Sequence, residues 1–489
     1  MTVVADKPGN KRKGRPAGRV GSVRSGMTAW LGRPLADFHL LLAIFGMLTV
    51  LGLVMVLSAS APGQVASGVS AYSVFQKQLI YVCVGSVLFW LVLRFPLRRL
   101  RHLSTAAMGI GVLLLALVLT PLGDVRGGAR SWFTVGPISF QPIEAVKLAL
   151  ALWGAHVLVT KRALLSQYRH LLVPVVPVAM LVFALVMLQP DLGGTITLGV
   201  VLISLLWFVG APMRLFGVIA GGAVVGAGVL AIGAAYRLQR VTTFLNPDAD
   251  PLGAGLQARQ AMFALAEGGL FGKGLARGSS QWRYLPNVES DFIFAVIGEE
   301  LGFVGCGLVL ALFGGLAWVG LRIAARNTDP WIRIVAATLT VWLVAQAAIN
   351  IGYVVRLLPV TGITLPMISS GGTSIVTTMV VFGILANCAR HEPEAVSALR
   401  SLGPGRVGGL LRLPAPEAYR PPPKRKPVRP STPPRAPGRS RTQQLPVVDE
   451  RRVAGRSAPP SEYRRRETRR VNQGRSEQGR STRGRGRYN

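Results

Sequence analysis

Residues 40–58 read LLLAIFGMLTVLGLVMVLS and contain no charged side chain. A helix needs about 20 mainly apolar residues to cross a hydrocarbon core of about 30 Å, and this run has that length and composition. Across the chain of 489 residues, 50% are hydrophobic, only 16% are charged, and the mean hydropathy is +0.42. These values exclude a disordered chain, a collagen-like fibre and an ordinary water-soluble enzyme. The sequence therefore predicts a membrane protein.

Comparable apolar runs recur as far as residue 387 and are separated by more polar segments. About ten of them are long enough to predict transmembrane helices. Their approximate centres are Phe45, Val84, Leu113, Leu150, Val182, Val201, Val218, Leu308, Val341 and Val380. The predicted fold class is an all-α polytopic membrane protein with about ten transmembrane helices, which form a membrane domain over residues 35–390.

The formal net charge of +34 is concentrated at the two ends of the chain. The N-terminal segment 1–34 and the C-terminal segment 391–489 are rich in Arg, Lys, Pro, Ser and Gly. Such segments bury too little apolar surface to offset the entropy lost on ordering, so both are predicted to be disordered basic tails. Because the excess charge belongs to the tails of a membrane protein, no nucleic-acid partner is predicted.

The Lys and Arg residues outside the apolar runs predict the orientation of the helices. If the helices alternate, one side of the membrane receives the N-terminal tail and residues 94–101, 161–169 and 322–333. Since Lys and Arg accumulate in cytoplasmic loops, both termini are predicted to be cytoplasmic. The extracytoplasmic side receives a long loop, about residues 236–290, between the seventh and eighth helices. Within it, residues 256–267 have the apolar spacing of a helix on or in the outer leaflet.

Ionisable residues within the apolar runs need partners, because a charge in a membrane span costs at least about 2.5 kcal/mol. Glu144 and Lys147 stand at i and i+3 on one helical face and are predicted to pair. The pair is explained either by mutual neutralisation inside the bundle or by the lining of a polar cavity. Asp191 lies in the tight turn LQPDLGGT and is predicted to cap the next helix.

Asp291 opens the eighth predicted helix in the stretch SDFIFAVIG. One interpretation is an ordinary N-cap, since unpaired N–H groups and the helix dipole favour the charged carboxylate. The other is a carboxylate that accepts a proton from a substrate hydroxyl or holds a divalent cation. Glu299 and Glu300 follow in the same helix and point about 100° apart, so at most one is expected to face a shared cavity.

The extracytoplasmic side also carries Trp132 and several cations, among them Lys273 and Arg283. The indole is explained either by anchoring at the membrane interface or by stacking on a sugar ring. The cations are explained either by loose contacts with lipid head groups or by recognition of an anionic lipid. Composition alone does not decide between these alternatives.

Longer motifs run through the membrane domain. They are RSWFTVGPISFQPIEAVKLAL (130–150), LQPDLGGT (188–195), FLNPDADPLGAGLQARQAMFALAEGGLFGKGL (244–275), LPNVESDFIFAVIGEELGFVG (285–305) and NIGYVVRLLPVTGITLPMISSGGTS (350–374). Together they resemble the SEDS family (shape, elongation, division and sporulation), the polytopic glycosyltransferases that polymerise peptidoglycan. The resemblance covers about residues 37–390. Within the family, the sequence is most similar to the cell-division members of actinobacteria, with the elongation members as the sister alternative.

The resemblance implies a peptidoglycan glycosyltransferase that polymerises lipid II into β-1,4 glycan strands. The reaction takes place at the outer face of the cytoplasmic membrane, during septal cell-wall synthesis and cell division. Asp291 corresponds to the family's essential aspartate and is assigned as catalytic base or as ligand of a divalent cation, Mg²⁺ or Mn²⁺. Asp250 is a further candidate metal ligand. No nucleotide cofactor is implied, because the donor is itself a lipid.

The resemblance also assigns residues to substrate binding. An outer-loop tryptophan and an intramembrane Glu and Lys of the family correspond to residues of this chain, and two outer cations are candidates to neutralise the pyrophosphate. The substrate-binding set is Trp132, Glu144, Lys147, Lys273 and Arg283.

The implied partner is a class B penicillin-binding protein, the division transpeptidase that crosslinks the new glycan. The basic C-terminal tail suits acidic segments of FtsZ or other division proteins, although attraction to anionic lipids explains it equally. Two other functions stay open: a flippase that moves lipid II across the membrane, and a division scaffold without catalysis. The polymerase is preferred to the flippase because Asp291 and the long loop lie on one side of the membrane.

Overall fold

The computed structural model describes residues 32–126, 128–136, 138–165, 167–232, 254–279 and 288–419. Most of these residues are helical, and a small sheet joins the third and fourth helices. In chain order the elements are α1 Ala36–Ala66, α2 Ser73–Arg94, α3 Leu97–Leu117, β1 Asp124–Arg126, β2 Ala129–Val135, β3 Ile138–Phe140, α4 Pro142–Thr160, α5 Tyr168–Leu172, α6 Val175–Leu188, α7 Leu192–Val209, α8 Met213–Ile232, α9 Ala254–Gly268, α10 Ile293–Arg326, α11 Pro330–Val354, α12 Thr373–Arg390, α13 Pro393–Ser401 and α14 Gly405–Leu410.

Each of the ten predicted centres lies in a helix. Within the described residues, eight helices are long and apolar enough to cross a membrane, namely α1–α4, α7 and α10–α12. The fifth predicted span is α6, whose 14 residues reach about 21 Å at 1.5 Å per residue, less than a full hydrocarbon core. The seventh is α8, whose described apolar part is Met213–Gly222. The prediction of a polytopic helical membrane protein is confirmed.

Local chemistry sets several helix boundaries. α4 begins with Pro142 in its first turn. Proline lacks a backbone N–H, but at this position an N–H would have no hydrogen-bond partner within the helix, so nothing is lost. α7 ends at Gly210, which has a φ of 88° and so adopts the left-handed conformation that glycine tolerates. α11 begins where the Asp329 carboxylate accepts a hydrogen bond from the Trp331 N–H at 2.8 Å.

The central helices of the bundle are α11 and α12, which are mostly buried, whereas α2 and α3 are largely exposed. α12 packs on α2, and α10 packs on both α1 and α11. Exposed apolar side chains such as Val50, Val87 and Leu113 cover the outside of the bundle. A water-soluble protein would bury such a surface, but in a membrane it faces lipid.

A three-stranded antiparallel sheet of order β1-β2-β3 precedes α4. Val125 pairs with Arg130, and Phe133 pairs with Phe140. The sheet is fixed to α2, since the Ser139 N–H donates to the Tyr81 hydroxyl oxygen at 3.1 Å. The all-α prediction did not include this sheet, because β1 and β3 have only three residues each and the seven residues of β2, ARSWFTV, do not alternate between apolar and polar.

The predicted start of the disordered tail at residue 391 is wrong for residues 391–419. Here α13 and α14 pack on the bundle, with Ala395, Leu399 and Leu413 buried. The Trp90 Nε1–H donates to the Leu411 carbonyl oxygen at 3.1 Å. A few apolar side chains at helical spacing are enough to attach this segment, and the basic composition of the whole tail concealed them. Residues 1–31 and 420–489 lie outside the described residues.

Candidate functional site

The first part of the site lies at the start of α4. Lys147 Nζ donates to Glu144 Oε1 at 2.9 Å, and both residues are buried, 2% and 8% exposed. The same ammonium lies 5.1 Å from the centre of the Trp342 ring, a cation–π distance. The predicted ion pair is confirmed, and it is stabilised because each buried charge has a partner.

The second part is the turn before α7. Asp191 Oδ1 accepts from the Gly194 N–H at 2.7 Å, so its predicted role as an N-cap is confirmed. Its Oδ2 accepts from Gln141 Nε2 at 3.1 Å, a contact with the residue just before α4. Burial raises the pKa of Asp191, whereas the Gly194 N–H and the nearby Lys147 ammonium lower it. Asp191 therefore belongs to the same polar region as the pair on α4.

The third part is Asp291, two residues before α10. The N-cap of α10 is Phe292, with no side-chain cap, so the N-cap interpretation of Asp291 is not supported. The Asp291 carbonyl oxygen accepts from Asn350 Nδ2 at 3.0 Å and from the Tyr353 hydroxyl at 2.9 Å. These bonds attach the backbone of Asp291 to α11 and leave its partly buried carboxylate outside the helix.

The loop between α11 and α12 joins these parts. A Cβ atom on Gly362, whose φ is +72°, would lie 3.6 Å from Asp291 Oδ2. One residue earlier, the Thr361 carbonyl oxygen would lie 3.0 Å from a Cβ atom on Gly193, in the first turn of α7. Glycines at these positions let the backbone approach closely. The loop thus lies between Asp291 and Asp191.

These contacts bring together residues from three distant parts of the sequence at one end of the bundle. We refer to this set as the Asp291 cluster; its members are Gln141, Glu144, Lys147, Asp191 and Asp291. Three of the five carry a carboxylate and one carries an ammonium. Such a set can accept a proton from a hydroxyl or hold a cation, and its buried members are fixed by hydrogen bonds.

The described part of the long loop between α8 and α10 is attached to the bundle through Glu299 and Glu300, both fully buried. Glu300 accepts hydrogen bonds from the Ser58 hydroxyl at 2.7 Å and the Ala276 N–H at 2.9 Å. Glu299 accepts from the Ser279 N–H at 2.6 Å. Both carboxylates bind the loop, which is consistent with the expectation that at most one of the two faces a shared cavity. α10 accommodates this loop by a kink at Gly302, where a Cβ atom would collide with the backbone of Gly272.

Lys273, predicted to neutralise pyrophosphate, is paired with two carboxylates of the protein. Its ammonium bonds to Glu267 and lies 3.5 Å from Glu299 Oε1. The bond raises the pKa of Lys273 and lowers the pKa of Glu267. These contacts give Lys273 a structural role in the loop, in addition to the role assigned from the resemblance.

The remaining predicted site residues divide into two groups. Trp132 lies on β2, partly buried, with the Arg126 guanidinium 5.4 Å from its ring centre. The strand that follows, β3, leads directly into Gln141 of the Asp291 cluster. Arg283 and Asp250 lie outside the described residues.

Comparison with known proteins identifies the family. A model described as "Cell cycle protein", for FtsW, RodA and SpoVE, matches residues 38–394. The "Probable peptidoglycan glycosyltransferase FtsW" of Mycobacterium tuberculosis is 47% identical over 418 residues, 85% of this chain and 78% of that protein. This chain belongs to the FtsW/RodA/SpoVE family. "Stage V sporulation protein E" of Bacillus subtilis, in the same family, is 39% identical over 72% of this chain and 97% of its own length.

Solved structures of the FtsW/RodA/SpoVE family agree with the fold. RodA of Thermus thermophilus is 28% identical, with a TM-score of 0.53, and the match covers 75% of this chain and 99% of RodA. A chain from a "peptidoglycan synthase complex" is 29% identical, with a TM-score of 0.59, over 74% of this chain and 99% of that chain. The predicted family, its cell-division branch and the multi-pass membrane architecture are confirmed.

Within the described residues, a divalent cation could be held by a single carboxylate rather than by a cluster of protein ligands. Nowhere within them do three or more His, Cys, Asp or Glu side chains converge as a metal site. Mg²⁺ is often held by one or two carboxylates together with substrate phosphates, rather than by a cage made only of protein. Asp291 fits this mode as a single carboxylate at the edge of α10.

Proposed function

We propose that this chain polymerises lipid II into β-1,4 glycan strands at the outer face of the cytoplasmic membrane, during septal cell-wall synthesis. The observation that carries the proposal is the Asp291 cluster. It gathers carboxylates from α4, α7 and the start of α10 at one end of a membrane bundle. Family membership and the names of the relatives support the same reaction.

In the proposed reaction, the 4-hydroxyl of the acceptor GlcNAc attacks C1 of the donor MurNAc. The bond from C1 to the pyrophosphate oxygen breaks, the configuration at C1 inverts, and polyprenyl pyrophosphate leaves. Asp291 accepts the proton of the attacking hydroxyl. One carboxylate is enough, because pyrophosphate is a good leaving group and needs neutralisation of charge rather than protonation.

The start of α10 affects this role of Asp291. A carboxylate close to the positive end of a helix is favoured in its charged form by the helix dipole, which makes it a weaker base but a better ligand for a cation. A bound Mg²⁺ or Mn²⁺ would supply positive charge against the pyrophosphate, with Asp291 and Asp250 as its ligands in the protein. Arg283 and Lys273 are proposed to neutralise the pyrophosphate directly. Trp132, Glu144 and Lys147 are proposed to contact the sugars and the acceptor side of the site.

The test uses the purified full chain with its class B penicillin-binding protein, labelled lipid II and Mg²⁺ or Mn²⁺, with glycan length read on a gel. We expect polymer from the wild type and none from Asp291→Asn. Asp329→Asn is the matched control, because Asp329 caps α11 and asparagine caps equally well. Normal polymer from Asp291→Asn would remove Asp291 from the mechanism. A wild-type protein that makes no polymer but moves labelled lipid II between vesicle leaflets would establish the flippase instead.

We also propose that both termini are cytoplasmic, that the class B penicillin-binding protein packs beside the bundle, and that residues 420–489 bind FtsZ or another acidic division protein. The basic loops on one side of the membrane and the similarity to a chain of a peptidoglycan synthase complex support this arrangement. Deletion of residues 420–489 is expected to keep polymerisation in vitro and to reduce localisation at the septum. Unchanged septal localisation would contradict the role of the tail.

A further inference from the structure

A cavity of about 430 Å³ lies at the end of the bundle opposite the Asp291 cluster. It is lined by the last turns of α4, α7 and α10 and by the first turns of α11. The other ends of α4, α7 and α10 carry Glu144, Asp191 and Asp291. The cavity is therefore at the other membrane surface, which is the cytoplasmic one in the predicted orientation. Its volume is within the range of small-molecule sites.

The walls and the rim of this cavity differ in chemistry. The walls are apolar and include Leu158, Phe208 and Ile334, contributed by three different helices. Two guanidinium groups, of Arg162 and Arg333, stand at the rim and are exposed. Neither forms a salt bridge with an Asp or Glu of the described residues.

This combination selects the class of ligand. A guanidinium group binds phosphate oxygens through two parallel hydrogen bonds, and two such groups at one rim favour a phosphate. An anionic phospholipid supplies both a phosphate for the two arginines and an acyl chain for the apolar wall, whereas inorganic phosphate or a neutral acyl chain would match only one of them. Basic pockets between helices at the cytoplasmic surface are typical sites for anionic lipid head groups.

We propose that this cavity binds one anionic phospholipid, with its phosphate on Arg162 and Arg333 and an acyl chain along the apolar wall. Phosphatidylglycerol and cardiolipin are lipids of this class. The site is distinct from the Asp291 cluster, and the proposal does not depend on the reaction assigned to that cluster. A lipid bound here would join the ends of four helices, three of which carry the cluster at their other end.

The proposal is tested by native mass spectrometry of the full chain in detergent, titrated with phosphatidylglycerol or, for comparison, phosphatidylcholine. We expect the wild type to retain one phosphatidylglycerol in preference to phosphatidylcholine. Arg162→Ala/Arg333→Ala should weaken phosphatidylglycerol binding by about 10- to 30-fold. The matched control is Arg169→Ala/Arg214→Ala, which removes two exposed arginines of the same membrane surface that do not line the cavity. Equal losses in the two double variants would overturn the proposal, because binding would then be diffuse attraction to a basic surface.

A second variant separates the acyl chain from the phosphate. Ala325 lines the cavity and is exposed, so Ala325→Phe is expected to fill part of it without changing the charge of the rim. Phosphatidylglycerol should bind at least about fivefold more weakly to this variant. Glycerol 1-phosphate, measured on the wild type, should bind far more weakly than phosphatidylglycerol. Equal affinity for the two ligands would show a site for soluble phosphate and would overturn the lipid proposal. If the double arginine variant fails to fold, Ala325→Phe still decides between these outcomes.

Discussion

At the Asp291 end of the bundle, the Asp291 cluster holds three carboxylates and one ammonium. At the opposite end, a second charged group joins α1, α10 and the start of α13. We call it the Asp37 clamp; its members are the buried Asp37 and Glu392, the partly exposed Arg322 and Arg326, and the exposed Glu394. Arg322 Nε lies 3.3 Å from Asp37 Oδ2, and Arg326 Nη1 lies 3.8 Å from Glu392 Oε2.

The two groups differ in the ratio of bases to acids. In the Asp37 clamp, two guanidinium groups lie between the buried Asp37 and Glu392 and the exposed Glu394, so every acid has a base within 3.8 Å and three segments are held together. The Asp291 cluster has more acids than bases, and part of the difference is met by neutral donors, the Gly194 N–H and the Gln141 amide. Carboxylates that each contact a guanidinium hold segments together, whereas carboxylates that outnumber the nearby cations three to one can be exploited for binding a proton or a cation. The comparison therefore assigns the charges of the Asp37 clamp to stability and those of the Asp291 cluster to function.

The largest expected effect is the difference between substituting Asp291 and substituting Asp37. Asp291→Asn should lower polymerisation by at least about 100-fold, the usual minimum for loss of a general base, while the melting temperature stays near that of the wild type. Asp37→Asn should do the reverse, because it removes the buried carboxylate that lies against both Arg322 and Arg326. Polymerisation of lipid II and thermal unfolding in detergent measure the two effects. If both variants lose stability and activity in parallel, the distinction between the groups is wrong.

The next effect concerns the ion pair of the Asp291 cluster. Lys147→Met leaves Glu144 buried without a cation and should lower the free energy of unfolding by about 3 kcal/mol. The double variant Lys147→Met/Glu144→Gln should recover most of that loss, since no buried charge is left. Unfolding of the purified variants in mixed micelles measures these differences. A double variant less stable than Lys147→Met would show that the pair itself, not charge balance, stabilises α4.

A smaller effect is expected from shortening the chain. Truncation after Glu394 removes the buried side chains of Leu399 and Leu413 and the bond from Trp90 to Leu411, and should cost about 3 kcal/mol or less. Truncation after Tyr419 keeps these contacts and serves as the matched control. The melting temperatures of the two shortened proteins, measured by thermal unfolding, are compared. Equal melting temperatures would show that α13 and α14 do not stabilise the bundle.

The smallest effect is on pH dependence at the Asp37 clamp. Burial and the neighbouring Asp37 carboxylate raise the pKa of Glu392 from 4.5 to about 8. The folded state therefore binds a proton more tightly than the unfolded chain, and this contribution to stability is complete below pH 4.5 and is lost as the pH rises towards 8. The protection factors of residues 391–413 in amide hydrogen exchange, which correct for the intrinsic rise of the exchange rate with pH, should fall over that interval. Glu392→Gln should remove most of the change in protection with pH. If the pH dependence of this variant equals that of the wild type, a group other than Glu392 causes it.

Features that depend on neighbours in the sequence were predicted well. The positions of the ten helices follow from runs of apolar residues, and the Glu144–Lys147 pair follows from the spacing of one helical turn. The predicted cap at Asp191 and the predicted helix over residues 256–267 are confirmed for the same reason, since both depend on a few adjacent residues. Each of these signals is local, so it can be read without knowing the fold.

Features that depend on distant contacts were not predicted. The bond from Gln141 to Asp191 joins residues 50 positions apart, and the contact of Gly362 with Asp291 joins two loops. Local sequence favoured an N-cap for Asp291, but the helix begins at Ile293, and α11 holds the backbone before it. The attachment of α13 was missed because its apolar side chains are few among many basic ones.

By itself, the sequence determined that this chain is a helical membrane protein, the approximate position of each helix, and the family to which it belongs. Hydrophobic runs fix the first two because the membrane admits few other structures. Only the tertiary structure decided which ionisable residues meet. Burial makes the energy of a charge depend on every group within a few ångströms, and in this fold those groups come from helices far apart in the sequence.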